Sequence, residues 1–228
     1  MHALPQPRDL RNVRDLHRDS RPAIQLADIP GVWRGAESGA VRAESTGHAE
    51  LDPLLPGGGW PVGKLTELYP AADGIGELSL LLPAMRRLTQ AGRRVVLVAP
   101  PYVPYSQALA DQGVRLDKLV LLQPERASES AWALEQVLRS GSVALAIAWP
   151  SAIGERALRR LQVAAEAGGA CAILYRPRRE LMQHSPAALR MSVEAQRAGS
   201  LRLVIHKCRG AKSGFVTVGE TARYRRAA

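Results

Sequence analysis

The chain has 228 residues, 46% hydrophobic and 4% aromatic, which fits one α/β domain with a short appendage and a core built from Leu, Val and Ala. No run is long and apolar enough to span a membrane, and the first residues, MHALPQPRDLRNVRDLHRD, lack an apolar signal core, so the expected location is cytoplasmic. The net charge of +10 is uneven: residues 1–50 are neutral, residues 51–170 carry +1, and residues 171–228 carry twelve Lys/Arg against three acids. A localised positive field of this kind suits nucleic acid or an acidic protein surface.

Residues 1–44 read as a tail and linker, partly flexible. Leu10, Val13 and Leu16 recur at helical spacing, but Pro5, Pro7, Pro22 and Pro30 limit any helix there. The run Ile29-Pro-Gly-Val-Trp-Arg-Gly35 sets Trp33 and Arg34 among turn residues. Such an aromatic is an anchor, either for its own domain or for another chain. The folded core is expected over residues 45–218. Leu51–Pro56 is a short apolar turn or helix, and Gly57–Gly59, Trp60-Pro61 and Gly63 force a reversal before a strand at Lys64–Leu68.

That strand feeds a tight loop, Pro70–Gly76, and an apolar helix from about Leu78. In a nucleotide-binding α/β protein a phosphate sits here, against loop amides and a helix N-terminus. The phosphate-loop pattern requires a glycine, four residues, then Gly-Lys-Ser/Thr. This loop reads Ala-Ala-Asp-Gly74-Ile-Gly76-Glu77-Leu78, so glutamate stands at the lysine position and leucine at the hydroxyl position. Glu77 repels phosphate, and Leu78 cannot ligate Mg²⁺. The loop is therefore degenerate, and no cofactor is expected. Asp73 is expected to cap the turn, and Glu77 to favour the positive end of the following helix.

Leu78, Leu81, Leu82, Met85 and Leu88 form one helical stripe, which Pro83 should kink or shorten at its start. Strands are expected at Val95–Ala99, Lys118–Leu122, Val143–Ala148 and Ala170–Tyr175. Helices are expected at Ser106–Gln112, Ser128–Arg139 and Glu155–Glu166. Continuous apolar strands separated by helices indicate a parallel sheet covered on both faces. A basic loop follows from Arg176, then a short strand within Ala188–Val193. Leu201–Cys208 and Phe215–Val218 read as a hairpin. Residues 219–228 form a basic, flexible tail.

The order of these elements resembles the RecA recombinase core over about residues 45–218. Ser45-Thr-Gly47, the Gly-Gly-x-Pro-x-Gly reversal, the strand into the loop and the closing hairpin carry the likeness. It implies a RecA-like three-layer fold with a mostly parallel central sheet. The departures coincide with the ATP-handling positions: Glu77 and Leu78 in the loop, Pro100–Tyr102 for the catalytic glutamate, Trp149 or Pro150 for the metal-binding aspartate, and Arg176 for the nucleotide sensor. The first DNA-binding loop is cut to Ser151–Gly154. Among RecA relatives the sequence closely resembles the ImuA family, through Val32-Trp-Arg-Gly35, Leu55-Pro-Gly-Gly-Gly-Trp-Pro61, Gly74–Pro83, Val98-Ala-Pro-Pro101 and Ala148-Trp-Pro150. That resemblance implies a damage-inducible translesion assembly with ImuB, an error-prone C-family DNA polymerase and the sliding clamp, with RecA as a further partner. SulA, the cell-division inhibitor that binds FtsZ, is a shorter relative of the same degenerate fold.

The residues themselves offer no convincing catalytic constellation. His2, His17, His48, His184 and His206 are scattered, and His206 with Cys208 supplies two ligands at most, so no metal is expected. Cys171 and Cys208 read as reduced packing residues. The basic quarter, with Arg178, Arg179, Lys207, Arg209, Lys212, Arg223, Arg225 and Arg226, is read as a docking face for an acidic protein, with DNA phosphates or plain solvation as alternatives. The expectation is a non-catalytic RecA-like adaptor in SOS mutagenesis and DNA repair. A SulA-like inhibitor of FtsZ and a DNA-dependent ATPase with an atypical loop are the alternatives.

Overall fold

The structure, a computed structural model, describes residues 41–72, 74–150, 153–210 and 214–219. A two-stranded antiparallel ribbon opens it, with β1 (Ala43–Glu44) against β2 (Trp60–Pro61). Between them Asp52–Leu54 forms a 3-10 turn, as the apolar Leu51–Pro56 stretch led one to expect. The main sheet has eight strands among the described residues. In chain order they are β3 (Leu65–Pro70), β4 (Arg94–Val98), β5 (Leu119–Leu122), β6 (Val143–Ala148), β7 (Cys171–Tyr175), β8 (Leu189–Ala195), β9 (Leu201–Cys208) and β10 (Gly214–Val218). Their spatial order is β10-β9-β8-β3-β7-β6-β4-β5.

Strands β8, β3, β7, β6, β4 and β5 run parallel, and β9 and β10 close the sheet as an antiparallel hairpin. This is the mostly parallel α/β sheet with a C-terminal hairpin of a RecA-like fold. Side chains alternate across it, as the two-residue period of a strand requires. Val95, Leu97, Leu145, Ile147 and Ile173 enter one apolar core with α1 (Leu82–Gln90) and α2 (Ser106–Asp111). Val96, Val98, Ala146, Ala148, Ala172 and Leu174 enter a second with α3 (Ser130–Arg139) and α4 (Glu155–Gly168). Both faces are thus covered, and the strands can be apolar throughout.

Several boundaries shift by a residue or two from the sequence reading, and two differences have a clear local reason. The strand expected at Lys64–Leu68 runs over Leu65–Pro70, because Glu67 to Pro70 continue to pair with β8. The helix expected from Leu78 is preceded by a 3-10 turn, Glu77–Leu80, and becomes α-helical only at Leu82. Pro83 sits in its first turn, where a missing N–H costs nothing. Gly47 packs directly on this proline: a Cβ at residue 47 would lie 2.3 Å from Pro83 Cβ.

Candidate functional site at the carboxyl ends of the strands

β3 lies at the centre of the sheet, between β7 and β8, and delivers the chain to the degenerate loop. Ala71 N–H still bonds to Val193 O of β8, then Gly74 and Gly76 take left-handed φ values of 75° and 86°. A 3-10 turn and one side-chain hydrogen bond fix the chain just after the two glycines. Ser79 N–H donates to Gly76 O, Leu81 N–H to Leu78 O, and Tyr175 Oη donates to Glu77 O at 2.7 Å. Glu77 is buried, and Leu78 packs against the apolar core. The helix end that would face a phosphate begins five residues later, at Leu82, with a proline in its first turn. Asp73 lies outside the described residues.

Beneath this loop is a buried ionic cluster. Glu67 sits on β3 with no exposed side-chain surface. Its Oε1 is 2.5 Å from Arg176 Nη1, and its Oε2 accepts from Arg190 Nε at 2.8 Å and Tyr69 Oη at 2.7 Å. Arg176, just past β7, is also fully buried. It bonds Glu180 at 2.7 Å and reaches Ile153 O and Gln183 Oε1. Arg190 Nη2 donates to Tyr69 Oη at 2.5 Å. Two carboxylates and two guanidinium groups balance, and the cluster ties β7, β3 and β8 together. Burial and the Glu67 charge push the Tyr69 phenol up to about 12, so it stays a donor. Burial pulls the Arg176 pKa down, but Glu67, Tyr69 and Glu180 outweigh it and raise it above the usual value.

Sequence order singles out Arg176 but not its partners. Glu67 inside an otherwise apolar strand was the available signal, since a buried carboxylate requires a cation.

Above the cluster opens a cleft of about 400 Å³ lined by Pro70, Pro101, Trp149, Tyr175, Arg178 and Arg179, among others. Trp149 and Tyr175 stack with ring centroids 5.0 Å apart. A second, polar pocket of about 340 Å³ lies at the opposite, amino ends of the strands and is lined by Arg93, Arg94, Lys118 and Ser142.

Among the described residues, the basic side chains of the last quarter do not share one patch. Arg178 and Arg179 stand at the carboxyl end, Arg178 paired with Glu194 at 2.9 Å. Arg209 follows β9 beside the start of β8, where its N–H bonds Ala188 O. The seven residues of β8 separate the two groups, about 20 Å along the strand. Lys207 turns inward and donates to Ser185 O at 2.9 Å; burial and the neighbouring Arg209 and Arg190 lower its pKa. Trp33, Arg34, Lys212, Arg223, Arg225 and Arg226 lie outside the described residues. His206 bonds Ser192 Oγ at 3.0 Å. Among the described residues no group of three or more His, Cys, Asp or Glu is placed to hold a metal ion. No helix of the described residues is long and apolar enough to cross a membrane.

Residues 63–172 match the family model described as cell division inhibitor SulA. The chain is 33% identical over 101 residues to the cell division inhibitor SulA of Edwardsiella piscicida, covering 44% of this chain and 60% of that protein. It is 33% identical over 113 residues to RecA of Deinococcus radiodurans and 29% over 108 residues to RecA of Acinetobacter baylyi. The chain is a SulA- and RecA-related protein. It spans 30% and 31% of those two RecA proteins, so the likeness concerns the core and not the whole recombinase. The SulA match begins just before β3 and ends within β7, so it includes the degenerate loop, the carboxyl-end loops of β4 and β6, and the amino-end pocket.

Proposed function

We propose that this SulA- and RecA-related chain is a non-catalytic adaptor of a damage-inducible translesion synthesis assembly, working with ImuB and an error-prone C-family polymerase in SOS mutagenesis. The observation that carries the reading is the state of the loop after β3. Glu77 and Leu78 replace the lysine and the hydroxyl, the chain after the loop turns as a 3-10 helix with the Ser79 and Leu81 amides bonded to Gly76 O and Leu78 O, and Tyr175 clamps the Glu77 carbonyl. The neutral Glu67–Arg176–Arg190–Glu180 cluster holds the strand ends together without a nucleotide. In this reading the domain works as a binding scaffold and makes no use of ATP. Deleting the gene should lower damage-induced mutation frequency without impairing survival of undamaged cells. Normal induced mutagenesis in the deletion strain would contradict the adaptor role.

A second reading, a SulA-like inhibitor that binds FtsZ, is favoured by one observation. Arg93, Arg94 and Lys118 form a concave cationic pocket within the span that matches SulA. Sedimentation of FtsZ polymers with the purified protein separates the two readings. Inhibition of assembly that is lost in Arg94→Glu/Lys118→Glu supports the inhibitor.

A further inference from the structure

We infer that the carboxyl-end cleft is a docking groove for an acidic, apolar peptide segment of a protein partner, taken up where a nucleotide would otherwise sit. The inference rests on the adaptor reading and adds the site and the chemistry of what fills it. The floor is aromatic and prolyl: the stacked Trp149 and Tyr175, flanked by Pro70 and Pro101. Such rigid apolar surface receives an extended chain at little ordering cost to the protein. The rim is cationic, with Arg178 and Arg179 along one side. Among the described residues Glu194 faces both Arg178 and Arg202, and Glu180 is held by Arg176, so the rim of Arg178 and Arg179 keeps a net positive charge. The rim therefore complements an acidic ligand.

The cleft wall at Pro101 continues into an exposed apolar loop. Tyr102, Val103 and Tyr105 are 71%, 75% and 70% exposed. Pro100, Pro101 and Pro104 stiffen this loop, and Ala99 launches it from a left-handed φ of 51°. A non-glycine residue there carries strain that the surroundings must hold. Three large apolar side chains presented on a stiff loop, beside a cationic cleft, match a partner segment that alternates acidic with apolar residues. Single-stranded nucleic acid would satisfy the arginines as well. The degenerate phosphate loop and the proline-lined floor favour peptide.

The test uses the full-length protein and a labelled aspartate-rich peptide containing a Phe-Pro pair, followed by fluorescence anisotropy. The same peptide with lysine for aspartate, and a short oligothymidylate, serve as comparison probes. The acidic peptide should bind, and its affinity should fall by about tenfold or more in Arg178→Glu/Arg179→Glu and in Tyr102→Ser/Tyr105→Ser. Arg209→Glu, at the far end of the sheet, should change it little. Equal binding by all variants, a loss with Arg209→Glu as large as with the rim variants, or a preference for oligothymidylate would overturn the docking groove. Displacement of bound peptide by ATP would instead overturn the nucleotide-free adaptor reading beneath it.

Discussion

Arg176 and Glu67 face each other across the ends of β7 and β3, both side chains fully buried, Nη1 to Oε1 at 2.5 Å. Neither charge has water to turn to. Removing one alone leaves the buried cluster with an unbalanced charge, because Arg190 and Glu180 then remain against a single opposite partner, which costs about 3–5 kcal/mol. Arg176→Met and Glu67→Met should each lower unfolding free energy by that order in urea titrations. The double variant should be less destabilised than the sum of the two, by about 1 kcal/mol or more. Additive losses would mean that the pair does not act as a unit.

Replacing Glu77 by lysine and Leu78 by threonine restores the letters of a phosphate loop but not its geometry. The Ser79 and Leu81 amides remain in the 3-10 turn, and α1 still begins at Leu82. The double variant should show no heat of ATP–Mg²⁺ binding in calorimetry. Measurable binding would place the defect in the two side chains alone.

Of these two features, only the loop was legible in the sequence. Each strand expected from an apolar run is present, and β6 falls on Val143–Ala148 as read, because a strand buried on both faces has no polar positions to blur its ends. The degenerate loop was equally plain, since Gly74, Gly76, Glu77 and Leu78 are contiguous. The ionic cluster was not: Arg176 and Glu67 are 109 residues apart, and only the sheet order makes them neighbours. The separation of Arg178 and Arg179 from Arg209 was hidden for the same reason. Charge counted along the chain ignores which end of a strand each residue occupies.

Gly168 and Gly47 are among the glycines required by close approach. A Cβ at residue 168 would lie 1.8 Å from Leu138 O, where α3 and α4 touch, and one at residue 47 would strike Pro83 at a φ of +82°. Gly168→Ala and Gly47→Ala should each lower stability by about 1–3 kcal/mol in denaturant. Gly214→Ala meets nothing within 4 Å and should stay within about 0.5 kcal/mol of the parent.

Asp52 accepts from Thr46 N–H at 2.7 Å, Thr46 Oγ1 at 2.6 Å and Ser45 Oγ at 2.7 Å. Burial pushes its pKa up, but these hydrogen bonds outweigh it and hold the carboxyl below the ordinary 3.8. A folded pKa lower than the unfolded one stabilises above the unfolded value and loses that stabilisation as pH falls through the folded one. Asp52→Asn should therefore lower thermal stability near neutrality and flatten the acid limb below about pH 4. An unchanged acid limb would show that other carboxylates govern it.

Burial pushes the Cys171 thiol up to about 12, and its side chain is sealed among the core strands. Cys208 is only half-buried, with its pKa also raised by burial. A thiol reagent applied to native protein should modify Cys208 first and reach Cys171 only on unfolding. Early loss of Cys171 would contradict the packing of β7 against Trp60.

The central claim is a RecA-like domain that recruits partners without nucleotide, and co-purification with ImuB in nucleotide-free buffer tests it most directly. The account predicts a stable complex, unchanged by added ATP or by an enzyme that destroys ATP. No complex, or one that forms only with ATP, would contradict it.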